Sequence, residues 1–287
     1  MLTEEQVAEF KEQGFLAIPD FSTPQEVEAL LGCGTSLIRD MDVNTVSIFS
    51  TRNQTSKTDE YFLDSANNVS FFFEEGAFDV HGNLVKEKEL AINKIGHAMH
   101  DIVPEFRRWT RENPKVKEIL RDLGYRRPLP VQSMYICKQP GIGGEVVPHQ
   151  DSSFLATEPP SVIGLWLALE DATVENGCLW GLPGSHSSQR VYRRFIRSGN
   201  NVQFEGNMPT FEASEFKPIQ VKAGTLVLLH GANVHYSKEN KSQKSRHAFS
   251  IHVVEGASGY CWQDYNWLQR KPDFPFVPLY DESMDEH

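Results

Sequence analysis

The sequence predicts a mainly β domain of the barrel or jelly-roll type, flanked by helices. Apolar residues recur at helical spacing before about residue 127, and several short strands separated by turns follow in about 128–256. No internal repeat divides the chain, nor does a linker rich in Gly, Ser or Pro. We therefore expect a single domain over 1–287, with helical support in about 1–127, a β core in about 128–256 and a C-terminal tail in 257–287.

Two helices with a strand between them are predicted at the N-terminus. Thr3 and Gln6 are spaced to form a capping box at the start of a helix over 4–13. Residues 15–19 have the composition of a strand. The Ser-Thr-Pro sequence at 22–24 is a second helix start, and an apolar stripe at helical spacing follows it. We interpret these segments as scaffold.

The rest of the helical region is predicted to hold one strand and two helices. Residues 69–73 are apolar and aromatic, which favours a strand. Helical spacing returns over 90–102, and within it His97 and His100 are expected to be surface or capping groups. A further helix, interrupted by a proline, is predicted over 106–123.

Four apolar runs after residue 128 are predicted strands. The run at 162–169 is almost continuously apolar, which is typical of a strand buried on both faces. Two other segments, 43–69 and 187–218, are polar and without clear period, so we expect irregular loops there. The predicted strands are 131–137, 162–169, 225–229 and 248–254.

Composition argues against several classes of partner. A net charge of −11 and a pI of about 5.4 disfavour nucleic acid and anionic membrane surfaces. The opening residues are acidic rather than a signal peptide, the longest apolar run is too short to span a bilayer, and the C-terminus is not Ser-Lys-Leu. Four scattered cysteines without a C-x-x-C pair suggest reduced thiols. We expect a cytoplasmic protein.

The segment Pro-His-Gln-Asp-Ser-Ser at 148–153 gives the first indication of chemistry. His149 and Asp151 are two residues apart in β-type sequence, so on a strand they would share one face. With a second histidine they would form the two-His, one-carboxylate triad that binds Fe(II). The pattern alone has little weight, because roughly one His-x-acid match is expected by chance. A solvated loop histidine beside a turn aspartate is the alternative.

Two histidines near a later strand are candidates for the third ligand. His230 and His235 both follow the predicted strand 225–229. Arg246 comes eleven residues after His235, just before another strand, and its planar guanidinium suits one carboxylate of a dicarboxylate co-substrate. A surface charge in a basic loop is the alternative for this arginine.

Taken together, these motifs resemble the phytanoyl-CoA dioxygenase family, over nearly the whole chain. The resemblance implies an Fe(II)- and 2-oxoglutarate-dependent oxygenase on a double-stranded β-helix, the cupin-like form of the jelly roll. The family motifs are His-x-Asp at 149–151, Glu-Asn-Gly-Cys-Leu at 175–179, Pro-Gly-Ser-His at 183–186, His-x-Ser at 235–237 and Arg246. Segments 93–97, 131–136, 143–146 and 266–269 resemble one member of the family more closely still.

The resemblance implies a role for each matching residue in the metal site. His149, Asp151 and His235 would be the iron ligands. Ser237 and Arg246 would hold the distal carboxylate of 2-oxoglutarate. Family members that halogenate have a small residue in place of the metal carboxylate, so Asp151 favours hydroxylation. Fe(II), 2-oxoglutarate and O2 are the cofactor and co-substrates that the resemblance implies.

The resemblance also implies the wall of the co-substrate pocket. Lys94, Met134 and Trp166 match positions that line this pocket in a family member. A plain core position is the alternative for Met134 and Trp166, since a pocket wall and a core residue look alike in sequence. His230 does not match a ligand position, and we expect it in the core or behind the ligands.

Other functions and the substrate stay open at the level of sequence. The same triad with another divalent metal would suit a hydrolase, and a non-catalytic β-barrel would bind 2-oxoglutarate as a sensor. The substrate is expected to be a small molecule or an acyl compound. An acyl-CoA would need a basic patch for its phosphates, which Arg190, Arg193, Arg194 and Arg197 would supply if they do not form a solvated face.

Overall fold

Two antiparallel sheets with a covering of short helices form the architecture. The structure is a computed structural model that describes residues 1–43, 47–49 and 60–282. Among these residues no helix has the length and apolar character needed to cross a bilayer. The helices are α1 (Glu4–Gln13), α2 (Pro24–Asp40), α3 (Glu60–Asp64), α4 (Met99–Ile102), α5 (Pro104–Arg107) and α6 (Pro114–Asp122).

The strands form a larger sheet, called here the major sheet, and a smaller one, the minor sheet. They are β1 (Phe15–Ile18), β2 (Val69–Phe73), β3 (Ile92–His97), β4 (Pro128–Ile136), β5 (Val146–His149), β6 (Thr157–Glu158), β7 (Ile163–Ala168), β8 (Leu179–Gly181), β9 (Arg193–Ser198), β10 (Asn201–Gly206), β11 (Lys217–Ile219), β12 (Leu226–His230), β13 (His235–Ser237), β14 (Ala248–Glu255) and β15 (Cys261–Trp262). The major sheet has the order β1-β12-β7-β14-β4-β3-β2 and the minor sheet the order β11-β8-β13-β5. Strands β9 and β10 form a separate hairpin, and β6 pairs with β15.

The two faces of the major sheet bury different sets of side chains. On β7, Leu165 and Leu167 pack in a large apolar cluster with residues of α1, α2 and α6. Trp166 and Ala168 of the same strand pack with Leu179 of the minor sheet. Successive side chains of a strand point to opposite faces, so β7 is buried on both. The prediction of a doubly buried strand here is confirmed.

The N-terminal elements agree with the sequence prediction. Thr3 and Gln6 form the predicted capping box, in which the Thr3 hydroxyl accepts from the Gln6 backbone N–H at 3.2 Å. Thr23 caps α2 in the same way, with Pro24 in its first turn. Strand β1 is an edge strand of the major sheet and pairs with β12, so that Phe15 lies opposite Leu229. This strand pairing joins the N-terminal region to the β core.

The prediction of a helix over 90–102 is wrong for most of that range. Strand β3 occupies it, and a helix begins only at Met99. The reason is tertiary, because β3 pairs on both sides, with Ile95 opposite Phe71 of β2 and opposite Tyr135 of β4. The spacing of apolar residues over six positions fits either a helix or a strand. Pairing with the two neighbouring strands favours the extended conformation.

The expectation that His97 and His100 are surface groups is also wrong. Both side chains are fully buried. Their Nδ1 atoms lie 2.7 Å from the Ser65 hydroxyl and 2.8 Å from the Ser133 hydroxyl, respectively. Pairing of β3 inside the major sheet carries this stretch into the interior, where a serine hydroxyl satisfies the Nδ1 atom of each ring.

The segment 187–218 is not irregular throughout. Residues 193–206 form the hairpin of β9 and β10, in which the rings of Phe195 and Phe204 lie 4.9 Å apart. Adjacent arginines at 193 and 194 and the Ser-Gly-Asn-Asn sequence at 198–201 break the strand period in the sequence. The Phe195 ring packs 5.6 Å from Phe154, so the hairpin covers the chain just after the His-x-Asp motif.

The segment 43–69 is also partly regular. Residues 60–64 form α3, and Phe49 donates its backbone N–H to the Phe73 carbonyl at 3.0 Å. Residues 44–46 and 50–59 lie outside the described part, and the loop prediction for them stays a prediction.

The C-terminal tail contributes to the interior. Trp267 is 2% exposed, and its ring centre lies 4.5 Å from that of Phe62 and 5.1 Å from that of His97. Arg270 adds an ion pair of 2.9 Å with Asp101. The major sheet likewise draws three strands from the region before residue 128. The proposed division at residues 127 and 256 stays a prediction.

Candidate functional site

Three potential metal ligands meet between the two sheets. His149 ends β5, Asp151 begins a short 3-10 helix, and His235 begins β13, which pairs with β5 so that the two histidines lie opposite each other. The Nε2 atom of each imidazole lies 3.6 Å from Oδ1 of Asp151. One ligand atom from each residue falls within 4.8 Å of the others. Metal–ligand bonds of about 2.0–2.2 Å fit this spacing.

The backbone conformation that brings His149 and Asp151 together differs from the prediction. The sequence argument placed both residues on one face of a strand. In the structure the strand ends at His149 and the chain turns after Gln150. Ser152 fixes the turn, because its N–H donates to the Gly231 carbonyl at 2.9 Å. The pair converges through this turn rather than through strand alternation.

Backbone carbonyls orient both imidazoles. Nδ1 of His149 lies 2.9 Å from the Val147 carbonyl, and Nδ1 of His235 lies 3.1 Å from the Asn233 carbonyl. A carbonyl only accepts, so each Nδ1 carries the proton and each Nε2 keeps a free lone pair toward Asp151. Burial lowers the pKa of His235 to about 4, which keeps that ring neutral at physiological pH. Both features favour coordination of a metal.

A further histidine, His252 on β14, contacts the same carboxylate. Its Nε2 lies 3.2 Å from Oδ2 of Asp151. Burial raises the pKa of Asp151, but the imidazoles of His252, His235 and His149 outweigh it and hold this pKa well below its usual range. Gly164 leaves room for the contact, since a Cβ there would lie 3.1 Å from Oδ2. Asp151 therefore has one oxygen toward the two ligand histidines and the other toward His252.

Arg246 lies in the same cavity with its guanidinium buried and incompletely paired. The residue is 1% exposed, its Nε donates to the Gly177 carbonyl at 3.1 Å, and its Cζ lies 5.2 Å from the Trp166 ring centre. Nη1 has no hydrogen-bond partner in the described part of the chain. Burial lowers the pKa of Arg246 to about 10, so it stays a cation at neutral pH. A buried cation with a free donor fits a carboxylate ligand.

The other predicted co-substrate residues line this cavity too. Ser237 is buried on β13, two residues after His235. Lys94 on β3 is buried with Nζ 3.4 Å from the Phe49 ring centre, and desolvation lowers its pKa to about 7. Met134 and Trp166 line the cavity as well, although Trp166 also belongs to an apolar cluster. The structure thus brings together all the residues that the sequence singled out for this site.

His230 lies apart from the cluster, as expected. Its ring is half-buried, 4.7 Å from His186 and 6.3 Å from Phe10, and it is not among the residues that line the cavity. Burial lowers the pKa of His230 to about 4. It is a packing residue between α1 and β12.

The sequence analysis did not assign His97, Arg193 or His252 to this cavity, although all three line it. His252 has a usable signal, since it and Ser250 are polar at alternate positions of an otherwise apolar strand and both line the cavity. His97 was assigned to a helix surface, and Arg193 lay in a segment interpreted as irregular. No local pattern identifies these two residues, because strand pairing alone brings them to the cavity.

Comparison with known proteins identifies close relatives. Residues 10–248 match the profile of the family described as phytanoyl-CoA dioxygenase (PhyH). The chain is 50% identical over 269 residues to a phytanoyl-CoA dioxygenase of Arabidopsis thaliana. The aligned region covers 94% of each protein. It is 46% identical over 290 residues to phytanoyl-CoA dioxygenase domain-containing protein 1 of Mus musculus, covering 97% of this chain and 99% of that protein. The resemblance inferred from the motifs is confirmed.

Solved structures with the same fold are more distant in sequence. The non-haem α-ketoglutarate-dependent epimerase SnoN superposes with a TM-score of 0.64 at 16% identity, over 98% of this chain and 93% of that one. EctD from S. alaskensis, solved with 2-oxoglutarate and 5-hydroxyectoine, gives 0.62 at 18% identity, over 88% and 76%. At these identities the likeness concerns the fold, and it confirms the predicted jelly-roll core.

The family match and the sequence similarity to full-length relatives include the segments that build the cavity. The His-x-Asp and His-x-Ser motifs and Arg246 all fall within residues 10–248. The chain therefore belongs to the phytanoyl-CoA dioxygenase family.

Proposed function

We propose that this protein couples the oxidative decarboxylation of 2-oxoglutarate to the hydroxylation of a small-molecule or acyl-type substrate. The observation that carries the proposal is a buried His–Asp–His cluster in the same cavity as the free guanidinium donor of Arg246. Two histidines and one carboxylate leave coordination positions open, which suits Fe(II) in oxygenases. Acidic net charge supports a substrate other than nucleic acid or a membrane surface.

His149, Asp151 and His235 are the proposed iron ligands. Their orientation supports this role, because each Nε2 presents a lone pair and the carboxylate is ionised. When bound, iron and 2-oxoglutarate supply the oxidative chemistry, in which O2 is consumed, 2-oxoglutarate becomes succinate and CO2, and a substrate C–H becomes C–OH. The protein positions the reactants and limits the access of water.

Arg246 and Ser237 are proposed to hold the distal carboxylate of 2-oxoglutarate. A guanidinium binds a carboxylate through two parallel hydrogen bonds, and Nη1 of Arg246 is free to donate. The Ser237 hydroxyl adds a neighbouring donor in the same cavity. Lys94 is a further buried cation there, and Trp166 is a proposed wall of the same pocket.

The test is Fe(II)-dependent turnover of 2-oxoglutarate by the full chain and by an Asp151→Ala variant. We expect the wild-type protein to release succinate and CO2. The variant loses the carboxylate ligand and leaves two imidazoles without their ionised partner. We expect its rate to fall by at least about 100-fold, beyond the effect typical of residues that only support ligands. Metal content after equilibrium dialysis gives a second readout.

A His230→Gln variant is the matched control, because it removes a half-buried histidine outside the cluster. We expect it to bind metal and turn over 2-oxoglutarate like the wild type. Undiminished decarboxylation by Asp151→Ala, or a wild-type protein that takes up neither iron nor 2-oxoglutarate, would refute the proposal.

The same assay separates the alternative functions. A hydrolase that used the triad with another metal would neither need 2-oxoglutarate nor form succinate. A sensor would bind 2-oxoglutarate in a titration and release no CO2. The free Nη1 of Arg246 favours a carboxylate co-substrate over simple hydrolysis, because that donor would otherwise be buried unpaired.

A further inference from the structure

Arg193 is a second arginine of the cavity, at a different part of the wall from Arg246. It begins β9, in the hairpin that covers the chain after Asp151. Its guanidinium carbon lies 4.1 Å from the Phe204 ring centre, whereas Arg246 lies beside Trp166. Both arginines line the same space.

The charge of Arg193 has no counter-ion in the described part of the chain. No carboxylate there lies within ion-pair distance of it, and its buried Nε has no hydrogen-bond partner. The side chain is half-buried, and this burial lowers the pKa of Arg193. The ring face of Phe204 supports the cation from one side and leaves its donor edge free.

The neighbouring arginines are used differently. Arg194 donates through Nε to the Tyr265 hydroxyl at 3.0 Å. Arg197 donates to the carbonyls of Gly199 at 2.7 Å and Trp267 at 3.4 Å. Arg190 is exposed, with its guanidinium carbon 5.3 Å from the Tyr192 ring centre. A single guanidinium of the run is directed to the cavity.

Apolar side chains form much of the cavity wall, although His97 and Lys94 lie beside Phe62. Phe62, Phe154, Leu155 and Trp267 line the cavity, and Phe154 packs 5.8 Å from Phe204. A largely apolar wall with an arginine that has no counter-ion is complementary to a molecule that has an apolar body and an anionic group. A coenzyme A thioester carries several phosphates and would need several free cations.

We propose that Arg193 binds the carboxylate of the substrate, and that the substrate is an apolar monocarboxylic acid rather than its coenzyme A thioester. The inference rests on the proposed function, since it places this molecule beside the iron site. It goes beyond that function by naming the substrate class and the residue that selects it.

The test is calorimetric titration of the full-length protein with octanoate, octan-1-ol and octanoyl-CoA, in the presence of 2-oxoglutarate and without iron. We expect octanoate to bind more tightly than the other two. Arg193→Gln should weaken octanoate binding by about tenfold or more, as expected for loss of a charge-assisted pair. Arg193→Lys should restore part of it. Arg194→Gln, which removes the adjacent guanidinium bonded to Tyr265, should bind like the wild type.

Three outcomes would overturn the inference. They are unchanged octanoate affinity in a folded Arg193→Gln protein, tighter binding of octanoyl-CoA than of octanoate, and equal weakening of octanoate and 2-oxoglutarate by Arg193→Gln. The last would assign Arg193 to the co-substrate. Thermal unfolding of each variant shows whether it is folded. Partial recovery of octanoate binding in Arg193→Lys then distinguishes lost carboxylate binding from a folding defect. The titration requires no turnover, so failure of the proposed function would be seen separately, as absence of succinate.

Discussion

His149, His235 and Arg246 each have one nitrogen held by a backbone carbonyl, which directs another nitrogen toward the cavity. The Nδ1 atoms of His149 and His235 are held by backbone carbonyls, so their Nε2 atoms face Asp151. Arg246 is tied through Nε to a backbone carbonyl, so Nη1 is left for a ligand. Fixing one end of a side chain reduces the entropy lost when the other end binds.

His252 is expected to position the metal carboxylate. A His252→Phe change keeps a ring in the strand but removes the contact of 3.2 Å with Oδ2 of Asp151. The carboxylate then loses its neighbouring imidazole, and we expect Fe(II) affinity to fall about 10- to 100-fold. Equilibrium metal binding measures this. A His252→Gln variant, which keeps a donor, should recover part of the affinity. Metal affinity of the Phe variant within twofold of wild type would contradict the role.

At the scale of elements, α2 packs on the major sheet through a residue without a side chain. A Cβ at Gly34 would lie 2.3 Å from ring atoms of Tyr135, which is fully buried on β4 and contacts His247 Nδ1 at 2.6 Å. Neither the ring nor the helix has space to retreat. Gly32, one half-turn earlier, is exposed and meets nothing within 4 Å.

These two glycines give a matched pair of substitutions. Gly34→Ala should lower the free energy of unfolding by about 1–3 kcal/mol, because it overpacks the helix–sheet contact. Gly32→Ala should raise it by about 0.5–1 kcal/mol, because alanine has the better helix propensity and no steric conflict there. Urea denaturation of both variants measures the difference. Equal stabilisation by both would show that α2 does not depend on close approach at Gly34.

At the scale of the whole molecule, the cavity is assembled from both sheets, the β9–β10 hairpin and the tail. Lys94 comes from the major sheet, His235 from the minor sheet, Arg193 from the hairpin and Trp267 from the tail. Burial of the ionisable groups among them lowers the free energy of unfolding by an amount that depends on pH.

Lys94 should make the stability of the empty protein rise with pH. Its pKa is about 7 in the folded state against an ordinary value of 10.5, because burial disfavours the ammonium. Between these values the unfolded chain binds a proton that the folded chain does not, so unfolding becomes harder as pH rises. The gain is at most about 1.4 kcal/mol per pH unit. Below pH 7 both states are protonated and the full cost of burial is present.

A Lys94→Met variant isolates this contribution from other titrating groups. We expect the variant to be more stable than the wild type near pH 7, and the difference to shrink steadily toward pH 10. Urea denaturation at several pH values, without 2-oxoglutarate, measures it. A difference in unfolding free energy that is constant with pH would show that Lys94 keeps its ordinary pKa.

Short-range signals predicted much of the scaffold. The capping residues Thr3 and Thr23 fixed two helix starts, and the continuous apolar run of β7 predicted burial on both faces. They failed for β3, where the spacing of Ile92 and Ile95 also fits a helix and only pairing with β2 and β4 decides. They failed again for the β9–β10 hairpin, where adjacent arginines such as Arg193 and Arg194 break the strand period.

The sequence by itself determined the family, the jelly-roll core and a set of residues that the fold brings together in one cavity, because those depend on residue type and spacing along the chain. Tertiary structure alone decided that Asp151 reaches the histidines through a turn, that His252 lies beside its second oxygen, and that Arg193 lines the cavity while Arg194 does not. The physical reason is that these contacts join segments far apart in sequence. Their energies depend on burial and partner geometry, which no local pattern encodes.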